Sequence, residues 1–80
     1  MNNINFKKIA KIIAKHTRVK EEFVTLETTV ETIERWDSLT HIKIIVDIEK
    51  DFDLKINTSI IGELNSVKSI IQFLKDVKFG

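Results

Sequence analysis

The sequence has 80 residues, a length that allows one domain and leaves little interior for a buried, multi-residue catalytic site. Its hydrophobic content of 42% and charged content of 31% are typical of a folded soluble protein and exclude a disordered chain. Cysteine is absent, which excludes disulfides, thiolate catalysis and cysteine-based zinc sites.

The formal net charge is only +1, but the charges are unevenly distributed along the chain. Residues 1–20 hold six basic residues and no acid, whereas residues 21–64 hold eleven acids and four basic residues. This asymmetry indicates either a partner surface or solvated faces that attract each other within the fold. His16 and His41 are too far apart in the chain to predict a metal site. No membrane span or signal peptide is recognisable, so we expect a cytoplasmic, monomeric protein without membrane partners.

The first predicted helix covers about residues 3–16. Phe6, Ile9, Ala10 and Ile13 recur at helical spacing, and lysines occupy the other face. A long polar segment follows, at about residues 17–36. Its scattered apolar residues predict an ordered loop pinned to the core, since an unanchored loop of this length would be unusual.

The second predicted helix has the clearest start, because Asp37 is a good N-cap and its charge suits the positive end of the helix dipole. The helix should end near residues 51–53. Its apolar residues cover more than one face, so it should pack on one side and line a groove or meet a partner on the other. They are Leu39, Ile42, Ile44, Ile45, Val46, Ile48 and Phe52.

A short helical turn is predicted around residues 58–63, and a last helix begins at residues 65–67, where Asn65 or Ser66 can cap it. Its inner stripe consists of Val67, Ile70, Ile71 and Leu74. We therefore predict an all-α fold: a small four-helix bundle of three main helices and one short helix, with a long first loop.

Ser38 is the residue that most directly suggests chemistry. Its hydroxyl should point outward at a helix N-terminus, where an esterified phosphate would be favoured by the helix dipole, beside an acid that can hold a divalent cation. The simpler interpretation is that Asp37 and Ser38 only cap the helix. His41 lies one turn further on, but no third group in the sequence orients it as the base that a hydrolytic serine needs. We therefore expect a protein that is not an enzyme.

Several motifs together are similar to the acyl carrier protein family, also called phosphopantetheine-binding or thiolation domains, over residues 19–74. The stretch DSLTHIKIIVDIEKDFDLKI contains the family pattern, with Glu49, Phe52 and Ile56 in place. Ser66-Val67 stands at the expected start of the last helix, and the upstream VKEEFVT looks like the family's first loop.

The resemblance implies that Ser38 carries 4′-phosphopantetheine as a phosphodiester, and that Asp37 helps a phosphopantetheinyl transferase place its magnesium ion. The thiol of this arm would carry acyl or aminoacyl groups as thioesters between a loading enzyme and a downstream synthase or transferase. Partner contacts are expected from Trp36, Leu39, Lys43 and Val46. Residues of the acyl groove or of the core are expected to be Ile42, Ile45, Ile48 and Phe52.

The sequence also departs from carriers of bacterial fatty acid synthesis, which are usually strongly acidic. Lys43 and Thr40 stand where those carriers usually have acids, and Arg35-Trp36 replaces the usual small residues before Asp-Ser. This Trp-Asp-Ser-Leu pattern looks more like free-standing carriers of specialised pathways, with generic type II fatty acid synthesis as the alternative. For Trp36, the alternative to a partner contact is a hydrophobic anchor for the loop.

Outside this class, the basic first helix leaves a nucleic-acid-binding module open, and a plain helical interaction domain is a further alternative. The acidic middle of the chain and the lack of a basic recognition helix argue against nucleic acid as a partner. The intact Asp37-Ser38-Leu39 triplet argues against a domain that kept the fold but lost the cofactor.

Overall fold

The computed structural model describes the backbone of residues 3–79 and the side chains of residues 5–77. Its three α-helices are α1 (Asn3–Thr17), α2 (Ser38–Phe52) and α3 (Val67–Phe79). Two short 3-10 helices lie between them, at Glu21–Phe23 and Thr58–Glu63. The predicted all-α bundle is confirmed, and the part of the chain that the structure describes holds no β-strand. The 3-10 helix at Glu21–Phe23 was not predicted.

The three α-helices bury their isoleucine-rich faces against one another. Ile9 and Ile13 of α1, Ile44 and Ile48 of α2, and Ile70 of α3 are all fully buried. Each fully buried branched side chain of this size contributes about 1.5–3 kcal/mol relative to an exposed one. One hydrophobic cluster therefore connects all three helices. It also includes Val24, Ile33 and Trp36 from the loop between α1 and α2, and Ile56 and Leu64 from the segment before α3.

The loop after α1 is ordered because its threonines close local turns and its backbone bonds to the start of α3. Thr28 Oγ1 accepts a hydrogen bond from the Thr25 amide at 2.9 Å. The Val67 amide then donates to the Thr28 carbonyl at 2.9 Å, and the Val30 amide donates to the Asn65 carbonyl at 2.9 Å. These bonds confirm the prediction of a pinned, ordered loop. They hold its C-terminal half at the end of the bundle where α2 begins.

The ends of the helices follow their local sequence. Ser66 is the residue that caps α3, because its hydroxyl accepts from the Ser69 amide at 3.0 Å while the Ser69 hydroxyl accepts from the Ser66 amide at 3.1 Å. This reciprocal pair satisfies two amides that the helix itself leaves unpaired. At the other end of α2, Asp53 adopts a left-handed conformation with φ of 53°. Aspartate tolerates that conformation better than most residues, and it ends the helix.

A polar contact joins α1 to α2 beside the core. The Asp47 carboxylate accepts a hydrogen bond from His16 Nε2 at 2.6 Å, and Lys15 Nζ lies 3.6 Å from the same oxygen. The hydrogen bond from His16 and the nearby positive charges lower the pKa of Asp47, so its carboxyl group stays ionised below the usual range. This contact links α2 to α1, and the Asp47 carboxylate points toward α1 and not toward the outer face of α2.

Candidate functional site

Ser38 is the first residue of α2 and is exposed to solvent. The residue before it, Asp37, is extended (φ −94°, ψ −175°), and its Oδ1 accepts a hydrogen bond from the Thr40 amide at 2.9 Å. That hydrogen bond lowers the pKa of Asp37, and Lys43 adds a smaller effect in the same direction. The site therefore presents a hydroxyl and an ionised carboxylate side by side, at the positive end of a helix of 15 residues.

The orientation of this helix start is set by a chain of hydrogen bonds through His41. Trp36 Nε1 lies 2.9 Å from His41 Nδ1, and His41 Nε2 lies 2.8 Å from the Ile61 carbonyl oxygen. An indole N–H can only donate and a carbonyl can only accept, so Nδ1 is the acceptor and Nε2 carries the proton. The imidazole thus ties the residue before Asp37 to the second 3-10 helix.

This assignment also settles the role of His41 toward Ser38. Both ring nitrogens are already used by groups other than the serine hydroxyl. A general base needs a free nitrogen lone pair within reach of the proton that it removes. His41 has none in this arrangement, in agreement with the expectation that it does not activate Ser38.

The expected partner contact at Trp36 is wrong. Its side chain is only 4% exposed and belongs to the hydrophobic core. The cause is local: the Trp36 amide donates to the Ile33 carbonyl at 3.0 Å, which closes a turn and directs the indole inward. The alternative interpretation, a hydrophobic anchor that holds the loop on the bundle, is the one that the structure shows.

Four residues of α2 that were expected at partner contacts, the groove or the core lie on its outer surface. Leu39 is 66% exposed, Ile42 47% and Val46 40%, and Lys43 is exposed as well. For Leu39, Lys43 and Val46 this agrees with the expected outward direction, while their use as partner contacts stays a prediction. Ile42 does not lie in the core, because its place three residues after Leu39 puts it on the same outer stripe. Its role in an acyl groove stays a prediction.

The remaining residues expected at a groove or core lie inward. Ile45 and Ile48 are 2% and 0% exposed and pack in the core, and Phe52 is half-buried against it. Lys8 Nζ lies 5.2 Å from the centre of the Phe52 ring, a cation–π contact between α1 and the end of α2. An acyl-binding role for these three side chains stays a prediction.

A shallow depression of about 240 Å³ lies directly beside Ser38. Its floor and walls come from the loop, the start of α2, the second 3-10 helix and the residue before the α3 cap. The lining residues are Val30, Trp36, Asp37, Ser38, His41, Gly62 and Asn65. A group attached to Ser38 therefore meets a partly apolar surface at its root and open solvent beyond it.

Sequence reasoning missed the structural role of two polar side chains of α2. One is His41 as a structural hydrogen-bonding residue, and the other is Glu49, whose Oε2 accepts from the Ile56 amide at 2.8 Å. The Glu49 contact fastens the segment after α2 to the helix. Both are polar residues on the side of α2 that faces the bundle, and their place among apolar residues could have indicated a structural hydrogen bond.

The described side chains include no group of three or more histidine, aspartate or glutamate residues placed to hold a metal ion. Over residues 3–79, no helix has the length and apolar character needed to cross a membrane. Ser38 offers an exposed hydroxyl, the kind of group that can form a phosphate ester.

Comparisons with known proteins agree with this geometry. The family described as "Phosphopantetheine attachment site" matches residues 7–74. The acyl carrier protein of Lactococcus lactis subsp. cremoris (strain MG1363) is 33% identical over 91% of this chain and 96% of its own. That of Streptococcus pyogenes serotype M1 is 34% identical over 89% and 92%, and that of Trieres chinensis is 24% identical over 94% of both chains.

The fold, the exposed serine at the start of α2 and these matches define a helical carrier domain. The chain belongs to the phosphopantetheine attachment site family. It is an acyl carrier protein, a carrier rather than an enzyme, and its cofactor is covalently attached 4′-phosphopantetheine. A solvent-exposed hydroxyl at a helix N-terminus fits the attachment of such a group.

Proposed function

We propose that Ser38 is the attachment residue and that residues 1–80 act as one carrier domain for acyl or aminoacyl thioesters. The single observation that carries this proposal is the position of Ser38: exposed, first in α2, and next to the ionised Asp37. In support of one domain, a single hydrophobic cluster draws on α1, α2, α3 and the loop.

Attachment by a phosphopantetheinyl transferase forms a phosphodiester between Ser38 Oγ and the pantetheine phosphate of coenzyme A. The serine hydroxyl loses its proton, the P–O bond within the pyrophosphate of coenzyme A breaks, and adenosine 3′,5′-bisphosphate is the leaving group. Asp37 offers a carboxylate oxygen that can reach the transferase's magnesium ion, since only one of its two oxygens is used by the Thr40 amide. The amino end of α2 then favours the negative charge of the phosphodiester.

The bound arm supplies the thiol that this cysteine-free chain lacks. The protein's own contribution is to hold the root of the arm on a rigid helix start and to raise the local concentration of the attached group at a partner's active site. The hydrogen bonds from Trp36 through His41 to Ile61 provide that rigidity.

We also propose that this carrier serves a specialised biosynthetic pathway, with generic fatty acid synthesis as the alternative. This assignment is supported by Lys43 and Arg35, both exposed, at the end of the molecule that carries Ser38. A carrier that serves basic enzymes gains from acidic residues at these places. Its loading enzyme and its synthase or transferase should therefore differ from those of a strongly acidic carrier.

Intact mass after treatment with a broad-specificity transferase and coenzyme A tests the attachment. Wild type should gain the mass of one phosphopantetheine, and Ser38→Ala should gain nothing. Ser59→Ala is the matched control, because Ser59 is also exposed near the start of a helical turn and should leave the gain intact. A wild-type protein that stays unmodified while a known carrier is modified in the same tube would overturn the proposal.

A further inference from the structure

The outer surface of α2 carries a second stripe, distinct from the one that packs in the core. Counting from Leu39, its members stand at offsets of 0, 3, 4, 7 and 11 residues, the spacing of one helix face. Three of its members are apolar and between 40% and 66% exposed, and the other two are exposed lysines. We call this the α2 outer stripe, formed by Leu39, Ile42, Lys43, Val46 and Lys50.

Three acids at or near this helix do not contribute free negative charge to the stripe. Asp37 caps the Thr40 amide, Asp47 is paired with His16 and Lys15 of α1, and Glu49 accepts from the Ile56 amide. In the described part of the chain, neither lysine of the stripe has a carboxylate within salt-bridge distance. The sequence of α2 contains three acids and two lysines, but the outer stripe that it offers beside Ser38 is apolar and cationic.

We propose that the α2 outer stripe docks a partner protein whose contact surface is apolar and flanked by carboxylates. This inference rests on the proposed attachment at Ser38, because the stripe matters only if a partner must approach that residue. An exposed apolar stripe gains free energy on burial, and each lysine is best buried opposite an acid. A basic partner surface would instead place like charges together.

The helix geometry specifies where those carboxylates lie. With a rise of about 1.5 Å per residue, Lys43 lies about 7.5 Å along the axis from Ser38, and Lys50 lies about 10 Å beyond it. The surface depression at that end is lined by Val46, Lys50, Asp53 and Lys55, so a carboxylate lies among its lysines, whereas Lys43 lies closer to Ser38. Lys43 is therefore the dominant contact, and the first acidic group of the partner should lie about one and a half helical turns from its active-site entrance.

A charge-swap crosslinking experiment tests this inference with a defined probe. The carrier is loaded with a pantetheine analogue that ends in a chloroacetamide, which alkylates an active-site cysteine with loss of chloride. Two forms of one enzyme serve as probes. The basic probe is a carrier-dependent ketosynthase whose entrance is rimmed by lysine and arginine, and the acidic probe is the same enzyme with those residues changed to glutamate. The carrier variants are wild type, Lys43→Glu/Lys50→Glu, and the control Lys7→Glu/Lys11→Glu, which makes the same charge change on exposed residues of α1.

At low salt, wild type should crosslink to the acidic probe about tenfold faster than to the basic probe, and Lys43→Glu/Lys50→Glu should reverse that order. The α1 control should behave as wild type, and 0.5 M salt should reduce the differences. The ratio of the two crosslinking rates for Lys43→Gln/Lys50→Gln should lie between the ratios for wild type and for Lys43→Glu/Lys50→Glu. Equal rates for wild type with both probes, or an equal reversal by the α1 control, would overturn the inference. Failure of the protein to accept the analogue at Ser38 would be seen by mass beforehand and would overturn the proposed attachment instead.

Discussion

At the scale of single residues, His41 decides how the start of α2 is held. Its ring accepts from the buried Trp36 indole and donates to the Ile61 carbonyl, so one side chain joins the loop, α2 and the second 3-10 helix. The tautomer follows from the partners alone, because neither partner could take the opposite role. The same feature removes His41 from any acid–base role at Ser38.

Replacing His41 by alanine should lower the free energy of unfolding by about 1–3 kcal/mol, since it leaves the Trp36 N–H and the Ile61 carbonyl without their partner. Urea unfolding at pH 7 measures the change. Lys50→Ala is the control on the same helix, because Lys50 is exposed and takes part in none of the ion pairs found among the described residues. Equal effects of the two substitutions would show that the hydrogen bonds of His41 do not stabilise the fold.

A second residue-scale prediction concerns acid stability. The pKa of Asp47 is lowered in the folded protein by its hydrogen bond from His16, so the folded state binds this proton less readily than the unfolded state. The stabilisation is therefore fully present above the unfolded value near 3.8 and is lost as pH falls through the lower folded value. Asp47→Asn should cost about 1 kcal/mol at pH 7 and progressively less below pH 4.

The comparison is made by urea unfolding of wild type and Asp47→Asn between pH 3 and pH 7. Asp51→Asn serves as control, because Asp51 is an exposed acid on the same helix and forms none of the ion pairs found among the described residues. A stability difference between wild type and Asp47→Asn that stays constant down to pH 3 would contradict the assigned role of the His16–Asp47 contact.

Residue patterns in the sequence predicted some of these roles and missed others for a physical reason. Asp37 as the cap followed from local chemistry, which depends only on residues three positions apart. The hydrogen bond of His41 depends on Ile61, twenty residues further along the chain. Such a contact is fixed by tertiary packing, and no local pattern reports it.

At the scale of elements, α2 has two apolar faces that differ in burial. The inner face contains Ile44, Ile45 and Ile48, which are at most 2% exposed, whereas Ile42 is 47% exposed. The composition of the helix alone does not separate these isoleucines. Their positions on the helix and the packing of α1 do, because only one face can meet the core.

Two substitutions of isoleucine by alanine should separate these faces. Ile48→Ala removes a fully buried side chain and should lower the free energy of unfolding by about 2–5 kcal/mol. Ile42→Ala should change it by no more than about 0.5 kcal/mol, because the side chain is half in solvent. Both variants replace an isoleucine of α2 by alanine, so each serves as the control for the other when thermal unfolding is measured. Similar losses for both would mean that Ile42 supports the core.

The helices were easier to predict than the loop between the first two. Helix boundaries followed from capping residues and from apolar spacing, and the second 3-10 helix lies where the sequence placed it, at Thr58–Glu63. The turn at Glu21–Phe23 and the bridge between Thr29 and Ser66 were missed. The turn is closed by local hydrogen bonds of the Phe23 and Val24 amides and has no side-chain cap to signal it, whereas the bridge joins segments far apart in sequence.

At the scale of the whole molecule, the uneven charge is partly used inside the fold. Lys15 lies near Asp47 and Lys8 lies over Phe52, so the basic α1 faces α2 with two of its lysines. Lys68 of α3 pairs with Glu27 of the loop at 3.6 Å. These exposed pairs contribute little individually. They do show that part of the basic amino-terminal charge is complementary to neighbouring elements, which weakens the case for a nucleic-acid surface.

The connection of the loop to the core leads to the last prediction, that the whole molecule unfolds as one unit. Trp36, the only tryptophan, reports the loop by fluorescence, whereas the far-ultraviolet circular dichroism signal reports the helices. Because Val24, Ile33 and Trp36 lie in the same cluster as the helices, the loop cannot detach without exposing the core. The two signals should therefore give the same urea midpoint, as expected for a two-state domain of this size.

Val24→Ala provides the decisive comparison, because Val24 is a loop residue that is only 3% exposed. If the loop and helices are one unit, this substitution lowers both midpoints together, by the free energy of a lost buried side chain of about 1–3 kcal/mol. Phe23→Ala, beside it but 63% exposed, should shift neither. A fluorescence midpoint that falls alone would show a loop that opens independently, and the site beside Ser38 would then be flexible instead of rigid. Coincident shifts would show that the start of α2 is held by the whole core, which is what a carrier needs if it is to present the root of its arm in one orientation to each partner.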